Sequence, residues 1–276
     1  MFRSVLLAGG LSYGGLVFLG YFFQEKIIFP APREIYRTPT DKGWPFDDVS
    51  LSVDGETTHG WFIPKDAARG TVLFSHGNGE NVADGLELVP VYRELGFNVL
   101  LYDYGGYGKS TGAPSERRCN DDIRAMWKYL TETRGLGAES VVLHGRSLGG
   151  GPTTRLAAEI APACVVLEST FRSLPSMARL RFPFLPAGLI LRHKFDNEAN
   201  ITRITAPLLV IHSPDDGVIP FAQGRALFDR ATSKQKEFLE IHGDHNEGFF
   251  VSMKAYTDGL KKFLDTVVPD SGRPGQ

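Results

Sequence analysis

A serine bracketed by glycines in the pattern Gly-x-Ser-x-Gly occurs three times in this chain. The copies are Gly10-Leu-Ser12-Tyr-Gly14, Gly108-Lys-Ser110-Thr-Gly112 and Gly145-Arg-Ser147-Leu-Gly149. A serine hydroxyl attacks an acyl carbon efficiently when it stands on a sharp strand-to-helix turn, where the backbone passes too close for flanking side chains. With 31 glycines in 276 residues the pattern alone is a weak signal, and context must decide. Ser12 lies in an uncharged run without strand or turn, and Ser110 runs into Gly112-Ala-Pro114, which is loop chemistry. Ser147 follows the β-type run Ser140-Val-Val-Leu-His144 and precedes Leu148 to Ile160, which can form a helix. Ser147 is therefore the candidate nucleophile. The N–H groups of the helix beginning at Leu148 would meet an oxyanion formed there.

Such a serine needs a base, and the base needs an acid to orient it, in the chain order serine, acid, histidine for this kind of turn. Ala206-Pro-Leu-Leu-Val-Ile-His212 reads as a buried strand, and Ser213-Pro-Asp215-Asp216-Gly217 follows it. Turn chemistry favours Asp216 as the acid, with Asp215 as the turn former. Glu168, at the end of an earlier strand, is the second choice. Of seven histidines, His59, His76, His144 and His212 read as packed or turn residues and His193 as solvated. His242 and His245 share the loop after the strand Glu237 to Ile241. His245 is favoured because it is nearer the following helix, with His242 bracing the loop. The second oxyanion donor comes from His76-Gly77-Asn78-Gly79 after the strand Thr71 to Ser75, so the candidate hole is the backbone N–H groups of Asn78 and Leu148.

These residues, together with Tyr102-Asp-Tyr-Gly-Gly-Tyr-Gly-Lys-Ser-Thr-Gly112 and Glu168-Ser-Thr-Phe171, resemble the α/β-hydrolase superfamily. Within it the chain is most similar to the membrane-anchored, bud-emergence-like branch. The likeness extends from about residue 47 to 266. It implies hydrolysis of an ester or thioester, with Ser147, Asp216 and His245 matching the triad. Many relatives have glycine at the positions of Ser213 and Asp244. The extra carboxylate of Asp244 beside the base is expected to raise the pKa of His245.

The order of elements supports the same fold. Strands 47–53 and 58–63 form a hairpin around Asp54-Gly55. Short apolar strands at 71–75, 97–102, 140–144, 163–167, 207–212 and 236–241 then alternate with helices at 82–95, 118–134, 148–160, 220–231 and 247–265. That pattern predicts an α/β-hydrolase fold, with a mostly parallel eight-stranded sheet, helices on both faces and a short lid insertion over residues 171–204. The apolar run Phe182 to Leu191 inside the insertion is equally consistent with lining an acyl pocket and with packing on the sheet.

Composition excludes other classes. A net charge of −2 and no basic stripe argue against nucleic acid, and Arg117-Arg118 and Lys261-Lys262 read as solvated pairs. The two cysteines, Cys119 and Cys164, have no partners at metal spacing, so no metal and no organic cofactor is expected. Asp103 stands where a phosphate loop ending in Gly108-Lys-Ser110 would need its first glycine. Residues 4–23 carry no charge and are long enough to span a bilayer; an anchor over 1–24 is favoured above a signal peptide or a soluble helix. The chain then divides into a linker at 25–46, the catalytic domain at 47–266 and a disordered tail at 267–276. The implied partners are a small ester or acyl substrate and the membrane, with weak pairing through Gly10-x-x-x-Gly14. The side of the membrane that holds the domain stays open. A catalytically silent anchored binding module and a serine peptidase are the rival functions.

Overall fold

The computed structural model describes residues 2–268, with the side chains of residues 2–11 outside the description. The expected tail therefore falls outside it except for residues 267–268, which close the last helix.

The chain starts with a long helix, α1 (Phe2–Ile28), and then enters a hairpin of β1 (Asp47–Val53) and β2 (Glu56–Ile63). Val53 pairs with Glu56, so Asp54 and Gly55 alone make the turn, both at positive φ (52° and 79°). That backbone is the tight hairpin that Asp-Gly favours. There follow β3 (Gly70–Ser75), α2 (Val82–Gly85), α3 (Val89–Glu94), β4 (Phe97–Tyr102), α4 (Glu116–Lys128), β5 (Val141–Arg146), α5 (Gly150–Ala157) and β6 (Cys164–Glu168). The insertion holds α6 (Leu174–Arg181), α7 (Ala187–Ile190) and α8 (Asn197–Ile201). The chain then forms β7 (Leu208–His212), α9 (Phe221–Arg230), β8 (Lys236–Glu240), α10 (Gly248–Val251) and α11 (Met253–Val267).

The eight strands make one sheet in the order β1-β2-β4-β3-β5-β6-β7-β8, antiparallel at β1/β2 and β2/β4 and parallel elsewhere. The inner strands β3, β5, β6 and β7 are almost entirely buried, as apolar strands covered on both faces should be. Two apolar clusters cover the two faces. One includes Phe29, Leu143, Leu167 and Phe195, and the other Phe74, Val142, Tyr256 and Phe263.

Strand β3 sits between β4 and β5, so the chain reverses its direction of travel across the sheet there. Loops leaving β3 and β5 diverge at such a point and open a crevice at the carboxyl ends of the strands. Ser75 lies beside Gly145 in the register, which puts residues 76–78 next to residues 146–148.

Several helices differ from the expected ones. The segment 82–95 is two short helices, because Pro90 cannot donate a backbone N–H and starts a new first turn in α3. The segment 247–265 breaks at Ser252, and 118–134 ends in a wider-pitch turn at 129–133. Arg118 is not a solvated residue: it is buried, pairing with Asp122 at 2.7 Å and donating to Thr58. His193 is also buried, accepting from the Glu116 N–H with its ring edge-on to Phe29.

The uncharged stretch 4–23 lies wholly within α1. Among the described residues no helix is long and apolar enough to cross a membrane. The described part of α1 includes Tyr13, Gly14, Gly15, Gly20 and Tyr21, which lower its apolarity.

Candidate active site

Strand β5 ends at Arg146 and a single tight turn, Ser147–Gly149, leads into α5. The helix proper therefore begins at Gly150, two residues later than expected. Ser147 has φ 54°, a conformation that costs a non-glycine residue on the order of 1–3 kcal/mol and persists only where the surroundings enforce it. Its carbonyl accepts from Thr170 Oγ1 at 2.7 Å. The flanking glycines are demanded by space. A Cβ on Gly149 would strike the Ser75 backbone carbonyl, and one on Gly145 would meet the Gly149 carbonyl and Thr153 Oγ1. Gly149→Ala is accordingly expected to lower unfolding stability by about 1–3 kcal/mol, read from urea denaturation, since backbone on the facing strand must move.

His245 stands between the serine and the acid. Its Nε2 lies 3.1 Å from Ser147 Oγ and its Nδ1 lies 2.8 Å from Asp216 Oδ2. With Nδ1 protonated and donating to Asp216, Nε2 is left to accept the serine proton. Asp216 is buried. Its Oδ1 accepts from the N–H groups of Val218 at 2.9 Å and Ile219 at 2.7 Å. His212 Nε2 lies 3.4 Å from its Oδ2. Burial alone would push this carboxyl up, but the His212 and His245 rings and the Ile219 N–H hold it well below the usual carboxylate range.

That direction predicts the acid limb of the pH profile. Asp216, held low, stays ionised at mildly acidic pH, so its own protonation adds nothing to the acid limb. The expected result is that log(kcat/KM) falls toward low pH with unit slope, one proton and not two, measured at constant ionic strength.

The competing candidates sit elsewhere. His242 is exposed and paired to Asp215 at 3.2 Å, and Asp215 also accepts from the Gly243 N–H. Glu168 is buried and committed to His144 Nε2 at 3.1 Å and the Tyr256 hydroxyl at 2.7 Å. Ser110 is buried, donating to the Asp103 carbonyl and accepting from the His59 N–H, both at 2.9 Å. Ser12 is on α1, remote in sequence from any strand. Cys119 and Cys164 are buried free thiols, which burial pushes up in pKa.

Asn78 follows β3 at the crevice, and Leu148 directly follows the nucleophile. The Asn78 side chain donates to the Ile28 carbonyl at 3.3 Å, which ties this loop to the end of α1. A feature the sequence did not reveal holds the same loop. Glu80 accepts from the Gly77 N–H at 2.8 Å and pairs with Arg146, the residue before the nucleophile. Asp244, expected to act on the base, spends its carboxylate on backbone: Oδ1 accepts from Gly217 N–H at 2.8 Å and His245 N–H at 2.7 Å. It therefore ties the acid loop to the histidine loop. Residue spacing carries no signal for such cross-loop ties. No group of three or more metal-ligating side chains is present among the described residues.

Comparison with known proteins agrees with this architecture. The profile of the α/β hydrolase fold family matches residues 70–201. The chain is 30% identical over 268 residues to the uncharacterized protein YfhR of Salmonella typhimurium, covering 90% of this chain and 87% of that one. It is 34% identical over 210 residues to the mouse α/β hydrolase domain-containing protein 17C, covering 74% of this chain and 62% of the relative, so it spans about three fifths of that protein's length. Among solved structures, an α/β hydrolase from Vibrio vulnificus superposes with a TM-score of 0.75 at 21% identity, covering 88% of this chain and 92% of the other. An esterase from Pyrococcus furiosus superposes with a TM-score of 0.73 at 19% identity, covering 86% and 97%. With the fold, the nucleophile turn and this relatedness in agreement, the chain belongs to the α/β-hydrolase family.

Proposed function

We propose that the protein is a serine hydrolase that cleaves a carboxylic ester or thioester through an acyl-enzyme, tethered to a membrane by its first helix. The observation that carries the catalytic part is the continuous hydrogen-bonded line from Asp216 through His245 to Ser147. Ser147 Oγ attacks the acyl carbon while its proton passes to His245 Nε2. The carbonyl oxygen becomes an oxyanion, for which the N–H groups of Asn78 and Leu148 are the donors in this reading. The bond to the leaving alcohol or thiol breaks, and that group takes the proton from His245. Water, deprotonated by the same imidazole, then releases the acid and restores the serine. The tether rests on the uncharged stretch 4–23 and on the exposed apolar side chains of α1, such as Leu16, Phe18 and Phe22.

A fluorophosphonate probe tests the catalytic part, because it reacts with a serine whose base is in place. The native protein should be labelled, and Ser147→Ala should not. Absence of labelling in the folded native protein would instead favour a binding module that keeps the fold.

A further inference from the structure

Residues 182–191 of the insertion, Phe-Pro-Phe-Leu-Pro-Ala-Gly-Leu-Ile-Leu, carry no charge. The sequence leaves open whether this run lines a pocket or packs on the sheet. Its largest side chains do neither: Phe184 and Leu189 are each 87% exposed, and Phe182 is 55% exposed. A folded surface does not normally present such a cluster to water without a partner.

The segment lies alongside α1. The Tyr13 hydroxyl donates to the Phe184 carbonyl at 2.8 Å, and Gln24 Nε2 donates to the Ile190 carbonyl at 3.0 Å. The Arg192 N–H donates back to Gln24 Oε1 at 2.7 Å, and Gly20 faces the Ile190 side chain. The depth of the run can therefore be measured along the helix. Tyr13 is ten residues from Phe23, where the uncharged stretch ends. At 1.5 Å per residue Phe184 stands about 15 Å beyond that end, roughly half the thickness of a hydrocarbon core.

We infer that residues 182–191 form a wedge that enters one leaflet of the membrane beside α1; the inference rests on the tether proposed above. Two independent features fit a lipid environment. The backbone of the wedge is largely satisfied from within. Six of its amide N–H groups bond inside the segment or to the Ala178 carbonyl. The carbonyls of Phe184, Gly188 and Ile190 are taken by Tyr13, Lys194 and Gln24. Hydrocarbon tolerates only backbone that is satisfied in this way. Within the segment itself the charges flanking the run are also of one sign, with Arg192 paired to Glu25 of α1 at 3.2 Å. From Phe171 to Phe195 there are five basic residues, Arg172, Arg179, Arg181, Arg192 and Lys194, and no acidic one. Arg181 and Arg192 bracket the apolar run, as cations at the headgroup level of an anionic leaflet do.

The wedge also borders the site. Arg181 donates to the Gly217 and Val218 carbonyls on the acid loop, while Asn78 is tied to the end of α1. Ser147 thus lies between two loops, one held by the end of α1 and the other by Arg181 at the start of the wedge.

The experiment uses the full chain in vesicles of phosphatidylcholine with and without phosphatidylglycerol. An environment-sensitive dye is attached through Phe184→Cys or Leu189→Cys, and through Lys261→Cys on α11 as the control; the native cysteines are buried. Flotation reports the tether. Quenching by aqueous iodide and by doxyl-labelled lipid reports the wedge. The expected result is that dyes at 184 and 189 are quenched several-fold more by doxyl lipid than the dye at 261 and resist iodide, more strongly with phosphatidylglycerol present. If the protein floats but dyes at 184 and 189 meet iodide as freely as the control, the wedge is overturned and the tether stands. If it does not float, the tether falls and the wedge with it. Protection without doxyl quenching, together with cross-links between 184 positions, assigns the face to a second copy and overturns the wedge.

Discussion

Ser147→Ala and His245→Ala are each expected to lower kcat by about 10⁴- to 10⁶-fold, while thermal unfolding and far-ultraviolet circular dichroism stay near native. The size follows from interdependence. Ser147 is a weak nucleophile until His245 Nε2, 3.1 Å away, accepts its proton, and His245 has nothing to activate once the serine is gone. Losing both should cost little more than losing either. The fold should survive because neither side chain belongs to the two apolar clusters. Relief of the φ 54° conformation is not expected, since alanine occupies it no more readily than serine. The measurement is single-turnover and steady-state hydrolysis of a p-nitrophenyl ester, with His242→Ala alongside. Near-native turnover in His245→Ala with loss in His242→Ala would refute the assignment of the base.

Asp216→Asn is expected to lower kcat by about 10⁴-fold, whereas Asp215→Asn should change it less than about 3-fold. An amide at position 216 can keep the hydrogen bond to the ring while leaving the wrong nitrogen protonated. The serine then meets a donor where it needs an acceptor. The native carboxylate is held ionised by His212, His245 and the backbone N–H of Ile219, so its charge is also present to stabilise the imidazolium. Asp215 is exposed and serves His242 and Gly243, all on the surface. Equal losses in the two variants would contradict this division of roles.

The nature of the fold was readable because local patterns and the global arrangement agree. Apolar strands at regular spacing, the Asp54-Gly55 turn and the Ser147 turn each carry a strong short-range signal. The breaks were harder. A single helix over 82–95 is consistent with periodicity, and only the packing shows that the chain restarts at Pro90. Isolated pairs of basic residues look alike in sequence, yet Arg118 is buried on Asp122 because α4 turns that face toward β2. His193 reads in sequence as a solvated residue between Arg192 and Lys194, but the insertion folds it against Phe29.

The sequence by itself pointed to Ser147 as the candidate nucleophile, to the order of the candidate triad and to the class of fold. Glycine spacing, strand apolarity and turn residues are local signals, each read within about ten residues of the position it marks. Tertiary structure decided what depends on distant segments meeting. It brought Asp216, 29 residues away, and Ser147, 98 residues away, onto the imidazole of His245, and it committed Glu168 to Tyr256, 88 residues away. It joined Glu80 to Arg146 and Asp244 to Gly217 across loops. It also laid the apolar run of the insertion along α1 instead of over the sheet. Contacts of that kind are set by loop closure and by which backbone groups remain to be satisfied, and neither quantity is written in local residue spacing.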